Sequence, residues 1–374
     1  MYSLTKKYII NGPNNIVRLT NGDKTLYILG DIHYDPQYQE ECPFNDDYDS
    51  IDIDKLLLKF MKDEKTRPID FFIETEPQYF FTQNCTETFR SNYLNQIRKL
   101  FKTKTNLNKD KILTNSKYPL HRFHYSDIRE VLFDEAFIRF IYHSEYYKTM
   151  PYSLNELNYM LEDVKRIYHC IDDLHQKIKS GTDKTINKIK NKYENKDVNK
   201  KMNVIFDTLI ERNITIIKKN LLELLDTISK IHKELTDMKI ENRYNEITDT
   251  YMKKQSILYQ SYNNNINTIS IFLVVLTDIY FIRRFMDKKY IKTGILYGGA
   301  QHMCNIIYIL IKYFNFTVTN IFHNKKYDFK KIETNNKTDN FEYLKELENN
   351  LYNYNNNFKA SQCTNMFDFP ENFT

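Results

Sequence analysis

Nine apolar residues, Ile210, Ile214, Ile217, Leu221, Leu224, Ile228, Ile231, Leu235 and Met238, step by four and three without a miss. Only a helix gathers positions so spaced onto one stripe, because side chains three and four apart stand above one another. Four heptads specify a long helix whose seam must be covered by another helix. An earlier stretch, Leu157, Leu161, Val164, Tyr168 and Ile171, has the same spacing. Between the two lies a Lys/Asn run, Lys184 to Lys201, which reads as a solvated helix end or loop. Two long helices joined this way pair antiparallel, so residues 151–262 are expected to form a helical hairpin, a coiled-coil-like insertion. Such an arm usually packs the fold; it could also dock a partner or pair two copies as a homodimer.

On either side the period changes from helical stripes to short apolar strands alternating with helices. Ile16 to Thr20 and Thr25 to Leu29 flank Asn21-Gly22-Asp23, an Asn-Gly hairpin signal. The second strand runs into Gly30-Asp31-Ile32-His33. A helix over about 53–63 follows, then a strand Ile69 to Ile73 ending in Glu74-Thr75-Glu76. Arg122 to Tyr125 reads as a further strand, ending in Ser126-Asp127-Ile128-Arg129. The pattern returns after the insertion. The apolar stretch Ile269 to Phe285 reads as a helix, Thr293 to Tyr297 as a strand ending in Gly298-Gly299-Ala300-Gln301-His302, and Thr317 to Phe322 as a last strand. Strands alternating with helices predict an α/β fold whose ligands collect at the carboxyl ends of the strands. The expected domains are 1–150, the first α/β part; 151–262, the helical hairpin; 263–330, the second α/β part; and 331–374, an Asn-rich tail.

Composition narrows the function classes. The net charge of +5 is spread over both signs, and no basic stripe interleaves with aromatics, so nucleic acid is not an expected partner. Five widely spaced cysteines without a CxxC pair point to a reducing compartment rather than a disulfide framework. The stretch Ile269 to Ile282 contains Asp278 and is short for a bilayer, so no membrane span is expected and the chain reads as soluble and intracellular. The 7 glycines are far below the roughly 26 of average usage, a bias of an AT-rich genome that makes each remaining glycine's position informative.

Two of those glycines open the same local design. Gly30-Asp31-Ile32-His33 and Gly299-Ala300-Gln301-His302 are both Gly-x-x-His, and both begin where an apolar strand ends. A glycine at a strand exit permits a tight turn or close backbone approach, and three residues on an imidazole reaches the rim of the sheet. Taken alone, a strand-end histidine is usually a satisfied structural residue; the pair is the signal. Glu74 ends an intervening strand, Glu76 follows two residues on, and Asp127 and Arg129 end another. His33, Glu74, His302, Asp127 and Arg129 are the expected catalytic set. Asp31, Glu76 and Gln301 are secondary candidates. Imidazole and carboxylate suit a divalent metal of the Mn, Co or Zn type held by His33, Glu74 and His302, which would lower the pKa of a bound water. The same residues without a metal could run acid–base chemistry through His and Glu.

At these residues the chain resembles the superfamily that groups TraB/PrgY pheromone-shutdown proteins, TIKI proteases, ChaN haem-binding lipoproteins and erythromycin esterases. The resemblance is carried by Leu26 to His33, Phe71 to Glu74, Tyr125 to Arg129 and Gly294 to His302, with Asp278 and Arg283-Arg284 on the helix before the last motif. It implies a mixed sheet built from two related halves with flanking helices, each half supplying a Gly-x-x-His. It also implies His33, Glu74 and His302 as the site, with Asp127 and Arg129 orienting substrate. The implied activity is hydrolysis of a peptide or small ester, with or without assistance from a divalent metal. The Asn-rich composition further resembles uncharacterised proteins of giant AT-rich DNA viruses, which implies host cytoplasm or virion. The alternatives are a non-catalytic assembly or virion-associated protein working through the helical arm, and a divergent metallophosphatase. The latter would need Gly-Asp-x-x-Asp and Gly-His-x-His motifs that the sequence lacks.

Overall fold

A computed structural model describes residues 8–31, 49–62, 68–75, 93–102, 105–107, 113–115, 118–133, 137–138, 141, 154–240, 244–322 and 363–365. In chain order the strands are β1 (Tyr8–Asn11), β2 (Asn15–Thr20), β3 (Thr25–Asp31), β4 (Asp49–Asp52), β5 (Asp70–Ile73), β6 (Thr105–Leu107), β7 (Leu113–Asn115), β8 (Tyr118–Tyr125), β9 (Thr293–Gly299), β10 (Thr317–Phe322) and β11 (Cys363–Asn365). The helices are α1 (Ile53–Lys62), α2 (Tyr93–Lys102), α3 (Arg129–Leu132), α4 (Leu154–Ser180), α5 (Lys184–Asn191), α6 (Lys196–Phe206), α7 (Arg212–Ile240), α8 (Tyr244–Asp287) and α9 (Ala300–Phe314). The chain divides into two compact units: residues 1–128, 194–201 and 277–374, and residues 129–193 and 202–276.

The first unit is α/β, with a mixed sheet of eight strands in the order β10-β2-β3-β9-β5-β8-β7-β6. Its centre, β3-β9-β5-β8, is parallel, and both edges are antiparallel. The β2–β3 hairpin forms as its Asn-Gly signal predicts: the Asn21 side chain accepts from the Asp23 and Lys24 amides, and Gly22 takes φ +89°. Side chains of a strand alternate between faces. Tyr27, Leu29, Phe71, Ile73, Ile295 and Tyr297 therefore bury one face of the sheet beneath α1 and α2. On the other face Phe72 meets Phe281 and Phe285 of α8 edge-on, at ring-centre distances of 4.9 and 6.2 Å. Helix α9 is buried over nearly its whole length, as a helix apolar all round must be. It ends on Asn315 in the left-handed conformation at φ 55°, a position asparagine tolerates.

The second unit is helical. The heptad seam runs from a π-helical turn, Asp207–Glu211, into α7, and from Ile210 to Leu235 every seam position is buried; α7 packs on α4, with Lys218 paired to Asp172 between them. The Lys/Asn run is more structured than a solvated loop. It folds into α5 and the start of α6, because Ile186 and Ile189 fall on one face and are buried, and Asp183 caps α5 by accepting from the amides of Thr185 and Ile186. Helix α8 runs unbroken through residues 262–263, and the change of unit falls between Leu276 and Thr277. Its stretch Ser256–Asp287 contains an 18-residue window apolar enough to cross a membrane, yet 78% of that window is buried inside the protein. The tail from Glu333 and its expected helix around Tyr343 to Tyr352 lie outside the described residues.

Candidate active site

The parallel register builds the site. Glycines 30 and 298 are direct partners on β3 and β9, and Asp31 pairs with Gly299. Ile73 pairs with Tyr297 and with Tyr125, so Glu74 follows the end of β5 beside Gly298 and Ser126. All these residues stand at the carboxyl end of the parallel strands, where polar residues collect in α/β sheets.

The Gly-x-x-His spacing has a concrete reason at β9. Gly299 is the N-cap of α9 and has no side chain to cap with. Glu74 caps it instead, its Oε2 accepting from the Gly299 amide at 2.5 Å. His302 is the third residue of the helix, one turn above the cap, and its Nε2 lies 3.2 Å from Oε1 of the same Glu74. A Cβ on Gly298 would stand 3.2 Å from Glu74 Oε2, close enough to press on the carboxylate. The other imidazole nitrogen, Nδ1, lies 2.5 Å from Oδ1 of Asp278 on α8, and Asn305 donates to Asp278 Oδ2 at 2.7 Å. The result is a buried chain Asn305–Asp278–His302–Glu74–Gly299, with Asp278 at 1% exposure, His302 at 6% and Glu74 at 8%.

The electrostatics follow from that chain. Burial alone would pull the His302 pKa down, but the charges of Asp278 and Glu74 and their hydrogen bonds outweigh it and hold it well above the ordinary histidine value. Burial pushes the Asp278 pKa up, opposed in part by the His302 charge. The surroundings therefore favour the charged form of the ring, which lies between two carboxyl groups. Both its nitrogens face carboxyl oxygens. Among the described residues no group of three or more His, Cys, Asp or Glu side chains is arranged to hold a metal. An imidazole in hydrogen-bond contact with two carboxyl groups can take part in proton transfer.

The remaining expected residues are distributed as follows. His33 and Glu76 lie outside the described residues. Asp31 is buried on the opposite face of the sheet from Glu74, where its Oδ2 accepts from Tyr297 OH at 2.8 Å, so it does not join His302. Asp127 is buried and its amide donates to Thr75 O at 3.2 Å; its neighbour Ser126, not Asp127, lines the cavity at Glu74. Arg129 begins α3 and belongs to the second unit. Gln301 is in the first turn of α9. Sequence reasoning placed Asp278 only on a helix resembling that of another family, and it missed Asn305 and Arg98. Arg98 on α2 donates through Nε and Nη2 to the Glu74 carbonyl, fixing the strand end that carries the carboxylate. The signal for Asp278 was a lone acid within an otherwise apolar run, since a buried charge requires a partner.

The model of a family of unknown function, DUF5847, matches residues 8–184 and 176–374. The chain belongs to that family. Similar proteins to this DUF5847 member come from Acanthamoeba polyphaga mimivirus. Uncharacterized protein R161 is 27% identical over 100% of both chains. Uncharacterized proteins R706 and R160 are 25% and 26% identical, covering 98% and 97% of this chain and 97% of their own. These relatives agree with the expectation of a viral protein. The resemblance to the TraB, TIKI, ChaN and erythromycin esterase superfamily is corrected: the matches run to DUF5847 and its viral relatives, and none to that superfamily. The reason is physical. A glycine leaving a parallel strand and a histidine in the first turn of the next helix satisfy a general packing need, so short motifs of this kind do not identify a lineage. No solved structure matches the chain.

Proposed function

We propose that the protein is a hydrolase that cleaves a peptide or small ester bond by acid–base chemistry at Glu74 and His302. The observation that supports this reading is the buried Asp278–His302–Glu74 chain at the carboxyl end of the central strands. Burying three ionisable groups is costly, and strongly shifted titrations concentrate at functional sites. In the proposed division of labour Asp278 holds the orientation of His302 and stabilises its charge. The imidazolium keeps Glu74 ionised, Glu74 accepts a proton from the attacking nucleophile, and His302 supplies one to the leaving group. Transfers of this kind contribute about 10²- to 10⁴-fold in rate. The viral relatives favour the host cytoplasm or the virion as the place of action.

The test is a panel of fluorogenic peptides and short-chain esters offered to purified wild-type protein and Glu74→Gln. Turnover by wild type that falls at least about 100-fold in the variant supports the reading. Turnover of nothing in the panel, or equal turnover by both proteins, removes it. One observation favours a second reading, interaction through the helical unit: Tyr159, Leu222 and Ile257 are exposed at 68%, 50% and 65%. Light scattering of wild type against a Tyr159→Lys/Ile257→Lys variant tests that reading through loss of self-association.

A further inference from the structure

The connectivity of the first unit marks one crevice in its sheet. After β3 the chain goes on to α1, on the face that carries Tyr27 and Tyr297; after β9 it goes on to α9, on the face that carries Glu74. The two strands are parallel neighbours. Where adjacent parallel strands send their helices to opposite faces, a crevice opens outside their carboxyl ends, and ligands of α/β sheets bind there. Both strands end in glycine, with Gly30 paired to Gly298, so the floor at this point carries no side chain of its own.

Asn15 stands at the edge of that floor. It begins β2 and is the antiparallel partner of Gly30, and residues so paired direct their side chains to the same face. Asn15, Gly30, Gly298 and Glu74 therefore form one row across four strands. At one end the Glu74 carboxylate reaches over Gly298, within 3.2 Å of where a Cβ would stand. At the other end Asn15 is 0% exposed, yet neither its Nδ2 nor its Oδ1 has a hydrogen-bond partner. Other buried asparagines of the chain are paired: Asn305 donates to Asp278 and Asn213 to the Leu209 carbonyl, both at 2.7 Å. A buried amide without partners is costly, so the exception at Asn15 calls for a group that supplies both an acceptor and a donor. One residue of an extended peptide does so, because its N–H and C=O lie on the same edge of the chain. An ester offers acceptors only. Hydrogen-bonded backbones lie about 4.8 Å apart, and Asn15 is two such spacings from Gly298, so one peptide backbone over Gly30 spans the interval.

We infer that the crevice between β3 and β9 binds an extended peptide and that Asn15 selects it, Oδ1 accepting from the N–H and Nδ2 donating to the C=O of one peptide residue. The inference rests on the hydrolase reading for cleavage and narrows its substrate from a peptide or small ester to a peptide. In the reaction the oxygen of a water molecule bonds to the acyl carbon while one of its protons passes to Glu74. The C–N bond breaks, and the nitrogen takes a proton from His302, which regains one from Glu74. One water is consumed, and an acid and an amine are released. Asn15 acts before these steps, by fixing where the backbone lies.

The test uses the full chain and has three readouts. Thermal unfolding compares wild type with Asn15→Leu. The variant is expected to melt at or above the wild-type temperature, because it removes two unpartnered buried polar atoms; a lower melting temperature would give Asn15 a structural part and overturn the inference. Nitrogen-15 spectra follow the Asn15 side-chain amide, assigned by its loss in Asn15→Leu, as N-acetyl-tetraalanine amide or ethyl butyrate is added. Movement with the peptide and none with the ester is expected; no movement with the peptide, or equal movement with both, overturns the inference. On a peptide that wild type cleaves, N-methylation at one residue is expected to lower kcat/KM at least about 100-fold, and Asn15→Leu to lower it similarly and to lose sensitivity to that methyl group. Equal sensitivity in both proteins overturns the part given to Asn15. Peptide binding at Asn15 in a protein that cleaves nothing keeps the peptide site and removes the hydrolase reading. Cleavage of esters with no response of Asn15 to peptide does the reverse.

Discussion

Replacing Asp278 by Asn keeps the shape of the side chain and removes the charge on which His302 depends. The substitution breaks a buried ion pair at 2.5 Å between groups of 1% and 6% exposure. A charge-assisted hydrogen bond contributes about 1.5–3 kcal/mol, and breaking a buried pair from one side costs about 3–5 kcal/mol. Asp278 also gives up its own burial penalty, which raises its pKa in the native state, so the net loss belongs near the lower end, about 3 kcal/mol. The pH dependence carries the sharper signature. The folded-state pKa of His302 is raised, so its stabilisation is fully present below the unfolded value near 6.5 and is lost as pH rises through the folded value. In Asp278→Asn burial is left opposed only by Glu74, so the native pKa falls and that loss moves to lower pH. Urea unfolding followed by circular dichroism between pH 5 and pH 9 reads both effects. A variant within about 0.5 kcal/mol of wild type, with the same pH profile, would refute the electrostatic account of the site.

Three other perturbations follow from the fold. Lys24 Nζ donates to the carbonyls of Phe285, Lys288 and Ile291 at 2.7–2.9 Å, and burial pulls its pKa from 10.5 to about 8. In that interval the unfolded chain binds more protons than the native one, so wild-type stability should rise as pH goes from about 8 to about 10.5. Lys24→Met should lose that rise, and about 1–3 kcal/mol at neutral pH, in the same urea titrations. Gly298→Ala sets a methyl 3.2 Å from Glu74 Oε2, which should cost about 1 kcal/mol in thermal unfolding and speed hydrogen exchange at the Gly299 amide. An unchanged exchange rate would show that Glu74 does not depend on the bare glycine. Leu224→Ala, at 2% exposure in the heptad seam, should cost about 2–5 kcal/mol by circular dichroism melting; a loss under 1 kcal/mol would contradict the packing described for α7.

Much of the fold was legible because its determinants are local. The heptad seam, the Asn21-Gly22 hairpin and the strand exits at Gly30 and Gly299 each follow from spacing or turn chemistry over a few residues. The sequence reading begins the apolar helix at Ile269, whereas α8 runs from Tyr244 through the polar stretch Tyr262 to Asn267. It stays helical because Tyr262 and Ile266 fall on one buried face. Glu74 and His302 were found from the same strand-end logic and meet in the structure. Asp278, Asn305 and Arg98 were not placed in the site, because their parts depend on which helices cross the sheet, and residue spacing carries no record of that. Asp31 was misplaced for a simpler reason: one step along a strand reverses the face, and the motif alone does not say which face bears the site.

The central claim is that His302 is a doubly hydrogen-bonded imidazolium held between Asp278 and Glu74. Nitrogen-15 spectra of the histidine side chains, with His302 assigned by its loss in His302→Gln, report the protonation of both ring nitrogens. The account predicts a protonated pair at neutral pH, persisting as pH rises past the ordinary histidine range and converting to the neutral ring at lower pH in Asp278→Asn. A wild-type His302 that titrates near 6.5, or is neutral at pH 7, would contradict it.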